Sequence, residues 1–198
     1  MPAPFGPEEQ THIRDDLLEA GKNSFSRFGI RKTTVDMLCR EAGIAKGSFY
    51  RFFPSKEELF MELMENEERK MREQLTEDLR HTRSFAEAED CIVHTYRRAG
   101  ESGILGILTE SGELAALARK LPEERLRQHR DNDEELSVAL IRIMEEAGFR
   151  TRLSADLISA MLRGLFTVTF HRKEVGSDIF PRAHDEMIRA VLRDAFDT

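Results

Sequence analysis

The spacing of apolar positions predicts helices along almost the whole chain. From Glu8 to Phe28, the residues Ile13, Leu17, Ala20, Ser24 and Phe28 fall on one helical face, with Leu18 and Phe25 beside them. Gly29 follows, where a helix end favours a left-handed residue. Thr33 is expected to open a second helix, with Asp36 three residues on as in a capping box and a stripe of Val35, Leu38, Cys39 and Ala42. Gly43 stops it. A third short helix is predicted from Lys46 to Phe53, closed by Pro54, which cannot continue a helix. Two short helices joined by a tight glycine turn form a helix-turn-helix signal, and the pair is too small to fold without the first helix behind it.

The remainder reads as a larger helical body. Ser55 with Glu58 predicts a capping box and a fourth helix to about Leu79, with Phe60, Met64, Met71 and Leu75 as its stripe. Further helices are expected over 84–100, 114–121 and 123–147, the last carrying Leu136, Leu140, Ile141 and Met144 and ending at Gly148. Residues 154–173 are apolar nearly all round, which calls for burial on two sides. Pro181 starts a last helix with Met187, Ile188, Val191, Leu192 and Phe196. Met1 to Pro7 is expected to be a frayed arm and carries no Lys or Arg.

Composition agrees with an all-α fold: twenty Leu stand against six Val in 198 residues. A chain that is 40% hydrophobic and 34% charged can bury a core, and no apolar run is long enough to span a bilayer. Met1 to Gln10 has neither a basic nor an apolar region, so no signal peptide is expected. Cys39 and Cys91 are the only cysteines, which excludes a disulfide scaffold and fits a cytoplasmic location. Cys91 and His94 share a helix face, but two ligands do not make a structural metal site, and no cofactor motif is found. The net charge is −7, unevenly spread: residues 1–56 carry nine Lys/Arg and seven Asp/Glu, whereas 57–198 carry twenty-one and thirty. Only the head is suited to a polyanion.

The run TTVDMLCREAGIAKGSFYRFFPSKEEL at 33–59 resembles the DNA-binding motif of TetR-family regulators. Thr33-Thr34, Ala42-Gly43, Lys46-Gly47, Tyr50, Phe53 and Lys56 with Leu59 carry the resemblance, and Leu17 to Gly29 is similar to the family's first helix. Ala45, Phe52 and Cys39 depart from the pattern, standing where a capping Ser or Thr, a polar aromatic and an Ala are common. The resemblance implies an all-α protein with a helix-turn-helix domain at 1–54 and a helical effector-binding and dimerisation domain at 55–198. It implies a regulator, chiefly a repressor, that is not an enzyme and binds a palindromic double-stranded DNA operator as a homodimer.

The third helix would then enter the major groove. Lys46 is a point charge for phosphate, Gly47 permits close backbone approach, and Ser48 can donate or accept. Tyr50 would reach a phosphate or a thymine methyl, and Arg51 has the fork that reads guanine. Thr34 and Lys56 would clamp the DNA backbone on either side. Phe49 and Phe53 are assigned to the core.

The resemblance also implies that the last two long helices pair with their copies across a two-fold axis, and that a small-molecule effector shifts the body to a state whose heads no longer match the operator. Met61, Met64, Met71, Tyr96, Met144, Met161, Phe166, Phe170 and His171 are the candidate pocket lining, with plain core as the competing assignment. Two other functions fit the same fold: a TetR-like protein acting mainly through protein partners, and an all-α enzyme. No membrane partner is expected.

Overall fold

A glycine lets the first helix lie directly on the fourth. A Cβ on Gly21 would stand 2.3 Å from Leu59 Cδ2 and 3.0 Å from Leu63 Cδ1, so the leucine side chains of the fourth helix pack directly on the backbone of the first at this point. The computed structural model describes residues 6–101, 103–109 and 112–197, without the side chains of 133–137. Of the frayed arm expected over Met1 to Pro7, Met1 to Phe5 lie outside the described residues, as does the side chain of Leu136, whereas Gly6 caps the first helix and Pro7 begins it.

The helices are α1 (Pro7–Lys32), α2 (Val35–Glu41), α3 (Lys46–Phe49), α4 (Lys56–Arg80), α5 (Phe85–Glu101), α6 (Glu113–Ala118), α7 (Glu123–Glu146), α8 (Ala155–Thr169), α9 (Arg172–Val175) and α10 (Phe180–Ala195), with a 3₁₀ turn at Leu105–Thr109 between α5 and α6. Among the described residues there is no strand. An isolated antiparallel bridge between Thr151 and Phe196 ties the α7–α8 link to the end of α10.

The chain buries two apolar clusters. One joins Leu17 and Phe25 of α1, Leu38 and Cys39 of α2, Phe49, Phe53 and the first turns of α4 to Ala99, Leu105 and Leu117. Its packing continues from head to body across Pro54. The other lies among α4, α5, α7, α8 and α10, around Leu79, Ile92, Met144, Leu162, Ile188 and Phe196.

Four boundaries differ from expectation. The helical geometry of α1 breaks at Gly29 (φ 76°), as its left-handed position predicts, although the helical run resumes to Lys32. The cap of α2 is Thr34 rather than Thr33. Thr33 is buried, and its hydroxyl donates to the Gly29 and Ser24 carbonyls at 2.8 and 3.2 Å, so it satisfies the end of α1 instead. The third helix is one α-turn, with Phe52 N–H then bonding Phe49 C=O in a tightened turn. Phe53 precedes Pro54 and is steered out of helical geometry. The apolar run expected over 154–173 is divided into α8 and α9 between Thr169 and Arg172.

Ser55 caps α4 as expected, accepting from Glu58 N–H at 3.1 Å. In α8, Ile158, Leu162 and Leu165 are buried, while Leu157 on the opposite flank is 46% exposed. The expected burial on two sides is therefore met on one side only within a single chain.

Candidate nucleic-acid interface and internal cavity

The head is organised by what it buries. Phe49 and Phe53 are fully buried and 6.0 Å apart, and Phe49 meets Tyr50 edge-on at 5.4 Å. With Phe49 turned inward, the one-turn α3 leaves Lys46, Gly47, Tyr50 and Arg51 exposed, while Ser48 is half-buried. A Cβ on Gly47 would meet nothing within 4 Å, so that side of α3 is open.

Thr34 is also exposed. Its Oγ1 accepts from Met37 N–H at 3.3 Å, and the same hydroxyl has a proton to donate. Lys46 Nζ lies 2.9 Å from Asp36 Oδ2, which links α3 to α2. The hydrogen bond to Asp36 raises the pKa of Lys46 and holds it charged. Burial and Asp36 push the Cys39 thiol up, which keeps it protonated.

Lys56 is placed differently from the expected phosphate clamp. Its ammonium donates to the carbonyls of Ile30 (2.6 Å), Thr33 (2.5 Å) and Arg31 (3.4 Å). An ammonium has three protons, so the segment between α1 and α2 takes the whole donor set. Lys56 fastens the head to α4, and a phosphate contact would have to displace these bonds. From the other side, Glu113 at the start of α6 accepts from the backbone N–H groups of Ile30 and Arg31 at 2.9 and 3.1 Å. Segment 29–33 is thus held by a cation from α4 and a buried carboxylate from α6.

The body holds a partly open cavity of about 520 Å³ bounded by α4 to α8. Met61, Met64, Met71, Tyr96, Phe166 and Phe170 line it. Met144 does not: it is 1% exposed inside the second apolar cluster, where α7 needs a core side chain. Met161 and His171 are likewise outside the lining. Sequence reasoning missed the polar wall, formed by Glu68, Arg72, His129 and Arg163 among others. On a long amphipathic helix such residues look the same as a solvated face, so no local signal marks them.

Beside the cavity, Arg125 reaches from α7 to α4, pairing both oxygens of Glu65 at 2.7 and 2.6 Å and Glu58 at 3.1 Å. Burial pushes the Glu65 carboxyl up, but hydrogen bonds from His129 and Arg125 outweigh it and bring the pKa down to about 2. Among the described residues no group of three His, Cys, Asp or Glu side chains is placed to hold a metal, and no helix is long and apolar enough to cross a membrane.

Residues 17–63 match the family model for bacterial regulatory proteins of the tetR family. The chain is 37% identical over 71 residues to an HTH-type transcriptional regulator, YhgD, of Bacillus subtilis, covering 36% of this chain and 37% of that one. It is 37% identical over 62 residues to the HTH-type transcriptional repressor KstR2 of Mycolicibacterium smegmatis, covering 31% and 30%. The chain thus spans only about a third of the length of these relatives. Its whole fold is similar to that of a TetR-family transcriptional regulator from Pectobacterium atrosepticum, with a TM-score of 0.71 over 98% of this chain and 99% of that one at 16% identity.

Proposed function

We propose that this chain, which carries the DNA-binding head of the TetR family of bacterial regulators, is a ligand-responsive transcriptional repressor and not an enzyme. It binds a palindromic operator as a homodimer in the cytoplasm. The observation that carries the reading is the division of labour in α3 and the turn that follows it: Phe49 is sealed in the core while Lys46, Gly47, Tyr50 and Arg51 face solvent. Residues 1–54 read DNA and 55–198 hold the effector and the dimer contact.

In the complex, Lys46 exchanges Asp36 for a phosphate, Gly47 admits the DNA backbone, and Arg51 and Tyr50 reach into the groove. Thr34 and Ser48 supply further hydroxyl contacts. The two heads of a dimer address half-sites about one helical turn apart, or a multiple of it. The body cavity takes the effector and shifts the population toward a state with the wrong head spacing.

The test is selection of bound duplexes from random sequence, followed by anisotropy titrations across salt. A palindromic site is expected, with log K falling by about 0.9 per phosphate contact per decade of salt. Lys46→Ala should flatten that slope by about one, and Arg51→Ala should relax discrimination at one base position. Affinity indifferent to both sequence and salt overturns the reading.

A further inference from the structure

The body cavity is walled mostly by apolar side chains, yet its charged residues are out of balance. Among the described residues, Arg72, Arg130 and Arg163 line it against one carboxylate, Glu68. Glu68 is ion-paired within the protein: its Oε2, which accepts no hydrogen bond from the described residues, lies 4.0 Å from Arg72 Nη1, one helical turn away, and 4.0 Å from His129 Nδ1. Arg163 is not answered in this way. Its Nη1 is buried and has no hydrogen-bond acceptor among the described residues.

A guanidinium stays charged at every accessible pH and presents its donors in a fixed planar fork. A buried nitrogen of that fork without an acceptor is costly, and native proteins rarely keep one without a use. The chemical partner that matches the fork is a carboxylate, which can take two parallel N–H bonds. The rest of the wall accepts a flexible apolar body: Met64 and Met71 are adaptable, and Phe166 and Phe170 offer ring faces and edges. A volume of about 520 Å³ is in the range of small-molecule sites.

We infer that the effector is an amphipathic organic acid, with its apolar chain among the methionines and phenylalanines and its carboxylate on Arg163. This rests on the reading of the cavity as the effector site. Arg163 is the group that selects acid over alcohol or amine, because only the acid gives the guanidinium a charged acceptor in a site with excess positive charge.

The test uses three probes of equal chain length, decanoate, 1-decanol and decylammonium, titrated calorimetrically into the full chain, with operator affinity read in the same solutions. Decanoate should bind about tenfold or more tighter than decanol. Arg163→Met should remove that preference while leaving decanol affinity unchanged, and Arg163→Lys should keep part of it. Unliganded Arg163→Met should melt no lower than the wild type, since it loses a buried donor with no protein acceptor, and this separates ligand selection from folding. Decanol or decylammonium binding as tightly as decanoate overturns the inference, as does a decanoate preference that survives Arg163→Met. If decanol binds equally well and still releases the operator, the acid inference falls while the effector site stands. If none of the three binds or moves operator affinity, both fall.

Discussion

The carboxylate of Glu113 accepts a hydrogen bond from the backbone N–H of Ile30, 2.9 Å away and 83 residues distant in sequence. The same oxygen takes the N–H of Arg31 at 3.1 Å. These amides follow Gly29, where the helix is broken, so they lack helical acceptors. A Cβ on Gly29 would lie 3.0 Å from Glu113 Oε1, so the close approach and the positive φ both favour glycine there. The helix that carries Glu113 also lines the cavity through Leu114, Leu117 and Ala118. One short element therefore touches both the cavity and the base of the head.

Glu113→Ala leaves two backbone donors without their acceptor and should cost about 1–3 kcal/mol, read as a lower urea midpoint. Glu113→Gln keeps a carbonyl oxygen and should lose less. In the proposed mechanism Glu113→Ala also weakens the link between sites: effector binds as before, while operator release by saturating effector is reduced. Release as complete as in the wild type would show that coupling runs by another route.

Lys56 distinguishes fastening from DNA contact. Its three bonds to the carbonyls of Ile30, Arg31 and Thr33 predict that Lys56→Met lowers stability by about 2 kcal/mol, the scale of hydrogen bonds to a charged group. The salt slope of operator binding should remain as in the wild type, in contrast to the flattening expected for Lys46→Ala. A slope reduced by about one in Lys56→Met would place that ammonium on a phosphate.

The contrast between these two lysines shows what the chain reveals before it folds. Both stand at expected positions of the motif, and their helices were legible from the spacing of Leu38, Phe49, Leu59 and Phe60. Gly29 and Ser55 announced their ends because backbone geometry and capping are local. The carbonyls that capture Lys56 lie 23 to 26 residues upstream and form a site only once α1 and α4 cross at Gly21. Met144 and Met64 have similar local patterns, yet one is core and the other lines the cavity. That difference is set by where α7 and α4 lie relative to α8, which no single helix encodes. Arg163 was hidden for the same reason.

Acid should loosen the α4–α7 clamp. The Glu65 carboxyl is held at a pKa of about 2 against an ordinary 4.5, with hydrogen bonds from His129 and Arg125 overcoming burial. A carboxyl with a depressed folded-state pKa stabilises the fold above its unfolded value, and that contribution is lost as pH falls from about 4.5 toward 2. After discounting for solvent screening, its size is about 2 kcal/mol. Glu65→Gln should be less stable than the wild type at pH 6, with the gap narrowing as pH drops below 4.5, followed by urea denaturation at each pH. A gap constant across that window would mean that the ion pair with Arg125 contributes little.

The exposed flank of α8 and α10 yields the last prediction. Leu157 is 46% exposed, and Met187, on the helix packed against α8, is 42% exposed. A Cβ on Gly164, one side of α8, would meet nothing within 4 Å. Apolar and small residues on neighbouring helices form a surface that a second copy can cover, completing the burial that the apolar pattern of 154–173 calls for. Leu157→Glu combined with Met187→Glu should give a monomer by sedimentation. Surface substitutions of this kind change fold stability by within about 0.5 kcal/mol, so the monomer should retain its helical signal. Loss of the second head removes the intramolecular half-site contact and should weaken operator binding by about 10²-fold or more. A double variant that still sediments as a dimer would move the two-fold axis to another face of the body.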